Sequence, residues 1–298
     1  MKRARSALVT LAALGCVTVM SASAQETPAA TPVAGEQQLP VRQPWSFAGP
    51  FGVYDTAQLQ RGYKIYREVC STCHSMTDMK FRNLAEPGGP DFTEGQVQAL
   101  AAEYKVQDGP NESGDMFERP GRPADPFPKP FANEQLARAA NGGSLPPDMS
   151  VLAKARSFER YDWFPADIVY GIWNIVTQYQ TQGPDYISAL LQGYEEPPKG
   201  VEIEPGQNYN TIIPGNRIAM PAPLKDGIVE YPKGPDGKPV VPETVAQYSK
   251  DVAAFLMWVA EPRLDQRKRM GLEVMIYLLV AAGLMYFVKK KVWAGAHA

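Results

Sequence analysis

The sequence predicts an all-α domain with long irregular connections, followed by one C-terminal transmembrane helix. Three observations carry this. Proline is dense, at 28 of 298 residues, yet absent from residues 51–86 and 243–261. Those proline-free stretches place apolar residues at helical spacing, and no segment shows a convincing strand alternation. Leu272 to Val288 is apolar apart from Glu273. A hydrophobic fraction of 44% is too low for a polytopic membrane protein and too high for a disordered chain. A formal net charge of −2 advertises no surface for nucleic acid.

The ends read as targeting and anchoring segments. Residues 1–24 have a secretory leader's order: Lys2, Arg3 and Arg5, an apolar run from Ala7 to Met20, then Ala22-Ser23-Ala24 as a cleavage site. An uncleaved anchor or a lipoprotein site at Cys16 fits this pattern less well. Residues 25–44, rich in Pro, Ala, Thr and Gln, are expected to be a flexible N-terminus. At the other end, a helix over 270–290 is about long enough to cross a bilayer. Arg263, Arg267, Lys268 and Arg269 precede it and Lys289, Lys290 and Lys291 close it, so local charge does not orient it. The leader does: residues 45–269 become a periplasmic domain and 291–298 a cytoplasmic tail. Residues 25–269 carry 24 basic and 31 acidic side chains, a net charge of −7 that suits a basic partner.

Within the domain, a first helix should start with Asp55 as N-cap. Leu59, Tyr63, Tyr66, Cys70 and Cys73 then share one face, with Gly62 beside it to admit another helix. Thr93 and Gln96 form a capping box for a second helix carrying Val97, Leu100, Ala101 and Tyr104. A short third helix runs from about Asn133 to Asn141 and stops at Gly142. The last soluble helix aligns Val245, Tyr248, Val252, Phe255 and Val259. Pro262 interrupts it, and a new helix can begin there and continue into the membrane. The proline-dense stretches 87–147 and 184–242 are expected to be mostly loop.

Cys70-Ser71-Thr72-Cys73-His74 is the strongest chemical signal. Two cysteines three apart on a helical turn can form thioethers with both vinyl groups of one haem. The histidine that follows is then held under the iron. Zinc would need a fourth ligand, and no other histidine precedes His297. A thioredoxin-like pair expects a βαβ setting that is missing. A Cys70–Cys73 disulfide would leave His74 unexplained. One motif implies one haem c, covalently attached, on a c-type cytochrome fold with long loop insertions.

The sixth iron ligand must then be methionine, or the position is open. Met76 and Met79 are too near His74 in sequence to reach the opposite face. Met257 lies next to an apolar stripe and Met116 in a very polar stretch. Met149 and Met220 remain, both in proline-punctuated loops. Met220 is the stronger candidate, between Ile218-Ala219 and Pro221-Ala222-Pro223. Arg138 and Arg156 are candidates for haem propionates. The acidic runs Asp108-Glu112-Asp115-Glu118 and Glu195-Glu196 with Glu202-Glu204 are candidate steering surfaces for a basic partner.

Taken together these residues resemble the cytochrome c1 family, the haem-c subunits of cytochrome bc1 complexes (ubiquinol–cytochrome c reductase). The resemblance covers roughly residues 44–157 and 184–293. It rests on Pro44-Trp45-Ser46, Gln107-Asp108-Gly109-Pro110-Asn111-Glu112, Phe127-Pro128-Lys129-Pro130, and Ala139-Ala140-Asn141-Gly142-Gly143 leading into Leu145-Pro146-Pro147-Asp148. Gly193-Tyr194, Pro197-Pro198, Ala219-Met220-Pro221 and the run Asp265 to Leu272 add to it. It implies Cys70 and Cys73 as thioether links, His74 and Met220 as axial ligands, Met149 as packing, and haem contacts from Asn141, Pro147 and Arg156. It also implies a backbone carbonyl near Pro146–Pro147 that accepts the His74 Nδ1–H. The implied partners are cytochrome b, the Rieske iron–sulfur protein, an acceptor cytochrome c and the lipid membrane, in a dimer of the whole complex. The implied role is electron transfer without substrate chemistry. A membrane-tethered cytochrome c shuttle and a haem enzyme with an open sixth position are the alternatives. Phe158 to Gly183 departs from the compact members of the family. Its aromatic content suits an extra helix or a cover over the haem edge.

Overall fold

A computed structural model describes residues 37–158, 164–177 and 182–295. The expected leader over 1–24, with Cys16, and His297 lie outside the described residues. From residue 37 onward the described residues belong to one compact unit. It is built around helix α7, Val245–Ala260, which is buried on almost every side. A helix wrapped by protein all round has no polar face, and residues Ala253 to Val259 are accordingly apolar.

Helix α1, Thr56–Glu68, starts where expected, with the Asp55 side chain accepting from the Gln58 N–H. Leu59, Tyr63, Ile65 and Tyr66 are buried, and the helix lies against α7. Gly62 sets the closeness: a Cβ there would overlap the Asp251 carbonyl oxygen and come within 2.6 Å of the Phe255 Cβ. Aromatic rings continue the core outward. Tyr63 meets Phe255 at 5.7 Å, and Phe81 meets Phe127 at 4.8 Å. Helix α2, Glu94–Ala102, has the expected reciprocal box of Thr93 and Gln96. Helix α3, Glu134–Ala140, is capped by Asn133 and ended by Asn141. Helix α4, Leu152–Ala155, packs on α7.

The domain is mostly helical, as expected, with two details that the sequence pattern does not show. Short strands do exist: β1, Lys105–Asp108, pairs antiparallel with β2, Phe117–Pro120, and β3, Asn208–Tyr209, with β4, Arg217–Ile218. Neither pair buries a whole alternating face, so there was no hydrophobic period of two to read. The first is held by charge instead. Arg119 binds Asp108, and its Nη1 lies 2.6 Å from the Asp125 carboxylate. The proline-dense region also contains a helix, α6, Gln182–Gln192, packed on α7. Pro184 falls in its first turn, where the missing N–H costs nothing. Within the aromatic insertion lies α5, Phe164–Thr177.

Residues 37–44 are tied to the body. The Gln38 N–H donates to the Thr211 carbonyl at 2.7 Å, the Gln37 side chain to Ile212, and the Gln43 N–H to Asp185. Beyond Pro262 the chain restarts as α8, Leu264–Trp293. This helix is apolar and long enough to cross a membrane, and none of its most apolar window is buried among the described residues.

Candidate haem site

The pentapeptide follows directly from the end of α1. The helix closes with the Val69 N–H on the Ile65 carbonyl, and Cys70–Thr72 then forms a 3₁₀ turn. So the cysteines stand on that turn rather than on the helix face. The spacing still works, because side chains three apart eclipse in a 3₁₀ turn. Both Cys73 and His74 donate their N–H to the Cys70 carbonyl, at 3.2 and 2.9 Å. The two intervening hydroxyls lock the turn to the helix: Ser71 Oγ donates to Arg67 O at 2.7 Å, Thr72 Oγ1 to Val69 O at 2.8 Å. The cysteines are free thiols, each half-buried. Burial and the neighbouring Cys73 push the Cys70 thiol up to about 12.

His74 is buried, with Nδ1 2.8 Å from the Pro147 carbonyl oxygen. A carbonyl only accepts, so the proton is on Nδ1 and the lone pair on Nε2. Burial lowers the imidazole's affinity for a second proton, against the Pro147 bond and Asp148, which raise it. The ring is therefore neutral and of fixed tautomer. The carbonyl anticipated near Pro146–Pro147 is that of Pro147.

Asp148 holds this strap in place, a role that nothing in the sequence pattern marks. It accepts from Ser75 Oγ at 2.8 Å, from the Thr77 N–H at 3.0 Å and from the Ser150 N–H at 2.8 Å. Burial alone would raise its pKa. The bonds from Ser150, Ser75 and Thr77 outweigh that and hold the carboxyl below its usual range. The Met149 N–H also donates to the Ser75 carbonyl at 2.8 Å. The segments after His74 and around Pro147 are thus sewn together, which fixes the ring from its outer side.

The methionines divide cleanly. Met76, Met79, Met149 and Met257 are all buried in the hydrophobic core. Met116 is 60% exposed near the β1–β2 turn. Met220 is half-buried, two residues past the end of β4. Its backbone is immobilised: the Met220 carbonyl accepts from Tyr194 Oη at 3.1 Å and from Asn208 Nδ2 at 3.3 Å. Tyr194 is a second residue whose role is not legible in the sequence. Asn141 bonds back to the Ala137 carbonyl at 2.7 Å as the α3 cap. Arg156 follows α4 and is exposed, with its charge near Tyr186. Arg138 reaches the Gly143 carbonyl of its own helix end.

These residues would suit haem c: Cys70 and Cys73 share one turn with no disulfide between them, and His74 is neutral with its lone pair on Nε2. The Met220 carbonyl is held by Tyr194 and Asn208, and its side chain lies outside the buried core cluster.

Residues 45–296 match the Cytochrome C1 family. The chain is 58% identical over 255 residues to a protein named cytochrome b/c1 from Bradyrhizobium diazoefficiens, covering 85% of this chain and 35% of that one. It is 46% identical to cytochrome c1 of Blastochloris viridis, covering 85% and 86%. To the mitochondrial cytochrome c1 haem protein of Saccharomyces cerevisiae it is 43% identical, covering 84% and 71%. With its pentapeptide, its fixed histidine and a match across nearly the whole described domain, the chain belongs to the cytochrome c1 family.

Proposed function

We propose that this chain is the haem-c electron-transfer subunit of a cytochrome bc1 complex. It receives single electrons from the Rieske iron–sulfur protein, passes them to a cytochrome c, and sits beside cytochrome b in a dimer of the whole complex. Cys70 and Cys73 carry the haem, with His74 and Met220 as its axial ligands and Asn141, Pro147 and Arg156 against it. Bound haem supplies a one-electron couple, and methionine with histidine ligation sets it high. The chain's own part is positional: Pro147 keeps Nε2 of His74 toward the iron, and Asp148 keeps Pro147 there. The chain makes and breaks no substrate bonds, and the quinol site belongs to cytochrome b.

The observation that carries this reading is the His74–Pro147 bond beside the two free cysteines, within a family match over residues 45–296. The leader sends residues 45–269 to the periplasm of a bacterial inner membrane, with α8 crossing it and the C-terminus in the cytoplasm. The net charge of −7 over residues 25–269 suits docking of a basic acceptor.

Gentle solubilisation followed by haem spectra tests the assignment. The protein should co-purify with b-type haem and an iron–sulfur protein. Migration alone would leave an independent membrane shuttle. In the same preparation, Met220→Leu should lower the potential and allow carbon monoxide to bind the reduced haem. A variant that does neither removes Met220 from the iron.

A further inference from the structure

The loop that precedes α1 is built around the root of the membrane helix. Its closing bonds run from the Val53 N–H to the Ser46 carbonyl and from the Ala48 N–H to the Trp45 carbonyl, both 3.1 Å. Gly52 has no room for a side chain, since a Cβ would overlap the Ala48 carbonyl oxygen. Inside, the Phe47 ring stacks on Trp45 at 5.3 Å and meets the tilted Tyr54 ring at 5.1 Å. Two residues of α8 clasp the loop. Lys268 Nζ donates to the carbonyls of Phe47 and Gly52, at 2.6 and 3.1 Å. Asp265 accepts from the Tyr54 N–H at 3.3 Å.

A loop this closely determined nevertheless leaves Phe51 76% exposed and Val53 56% exposed. Exposed apolar groups on a rigid tip mark a contact surface. Their height along α8 says which. Val280 is midway along the apolar run Leu272–Val288, so Lys268 stands 12 residues away, about 18 Å along the axis. Half a hydrocarbon core is about 15 Å. Lys268, and the loop carbonyls bonded to it, thus fall in the interfacial layer of the bilayer. Arg269 is exposed at the same level, where anionic headgroups would attract it.

We propose that Gly49–Val53 is a membrane-interface foot. Phe51 and Val53 enter the boundary between phospholipid headgroups and acyl chains beside the entry point of α8. Two points of contact, the helix and the foot, fix the tilt of the haem domain over the membrane where a single helix would leave it free to swing. This rests on α8 crossing the bilayer and not on the identity of the electron partners.

The test places a nitroxide label at position 51 through Phe51→Cys, in the intact haem-loaded complex in phospholipid membranes, with the haem reduced. Cys70 and Cys73 are consumed as thioethers in that form. Power saturation compares collisions with oxygen, which concentrates in lipid, against a water-soluble nickel chelate. Labels at Met116→Cys and Leu278→Cys are the water and lipid references. The oxygen-to-nickel ratio at 51 should exceed that at 116 several-fold and approach that at 278. A ratio equal to that at 116 overturns the foot, as does inaccessibility to both reagents, which would mean that another subunit covers it. A water-like ratio at 278 would overturn the membrane crossing and the foot together.

Discussion

Asp251 shows how much of this fold hangs on single polar residues. Its carboxylate is fully buried between α1 and α7. It accepts from Arg61 Nε at 2.8 Å and Nη2 at 3.2 Å, Tyr231 Oη at 2.7 Å, Gln58 Nε2 at 3.2 Å and Gln247 Nε2 at 2.9 Å. Burial and this carboxylate push the Tyr231 phenol's pKa upward. Removing one member of such a group strands the others without acceptors. Asp251→Ala should cost about 3–5 kcal/mol, read as a lower denaturation midpoint of the haem-loaded domain. A loss below about 1 kcal/mol would mean that water replaces the carboxylate. None of this was visible in the sequence, because Arg61 and Asp251 stand 190 positions apart and neither belongs to an apolar stripe. His74 was visible for the opposite reason: its chemistry is compressed into five consecutive residues. Its orienting partner at Pro147 is 73 residues away and came only through the family resemblance.

Among elements, the packing of α1 on α7 is the contact that places the pentapeptide, since the haem turn is the continuation of α1. Gly62 makes that contact possible, and its effect has a sign that can be checked. Glycine to alanine inside a helix ordinarily stabilises by about 1 kcal/mol. At position 62 the added methyl meets the backbone of α7, which cannot step aside, and overpacking costs about 1–3 kcal/mol. Gly62→Ala should therefore destabilise by up to about 2 kcal/mol net. Around Gly95 on α2 an added methyl would find nothing within 4 Å, so Gly95→Ala should stabilise by about 0.5–1 kcal/mol. Chemical denaturation of the two variants tests both, and equal signs would mean that α1 and α7 do not meet at Gly62. Gly62 was legible as a small residue beside an apolar face, as were the caps Asp55, Thr93 and Asn133, because capping and periodicity are local rules. The β1–β2 and β3–β4 pairs and α6 were not, because charge pairing, short ladders and tertiary burial against α7 decide them.

At the scale of the whole molecule, the boundary between domain and anchor lies inside α8, several residues past its start. Leu264 is 1% exposed, packed into the domain core. Asp265 and Lys268 hold the loop before α1, and Glu261 ties Lys154 of α4 to Arg267, at 3.0 and 2.6 Å. Only from Met270 onward are most side chains of the helix exposed. Two truncations separate these roles. A chain ending after Arg269 keeps every one of these contacts and loses the apolar span, so it should be released from the membrane with its stability intact. A chain ending after Arg263 also loses the burial of Leu264, about 1.5–3 kcal/mol, and the charged bonds of Lys268, about 1.5–3 kcal/mol. A combined loss of about 3–6 kcal/mol should lower the melting temperature of the haem-loaded domain by roughly 6–24 °C relative to the longer chain. The difference is independent of haem ligation, because neither truncation touches the Cys70–His74 turn or Met220. Equal melting temperatures for the two forms would place the domain's end before Leu264 and make α8 an anchor alone.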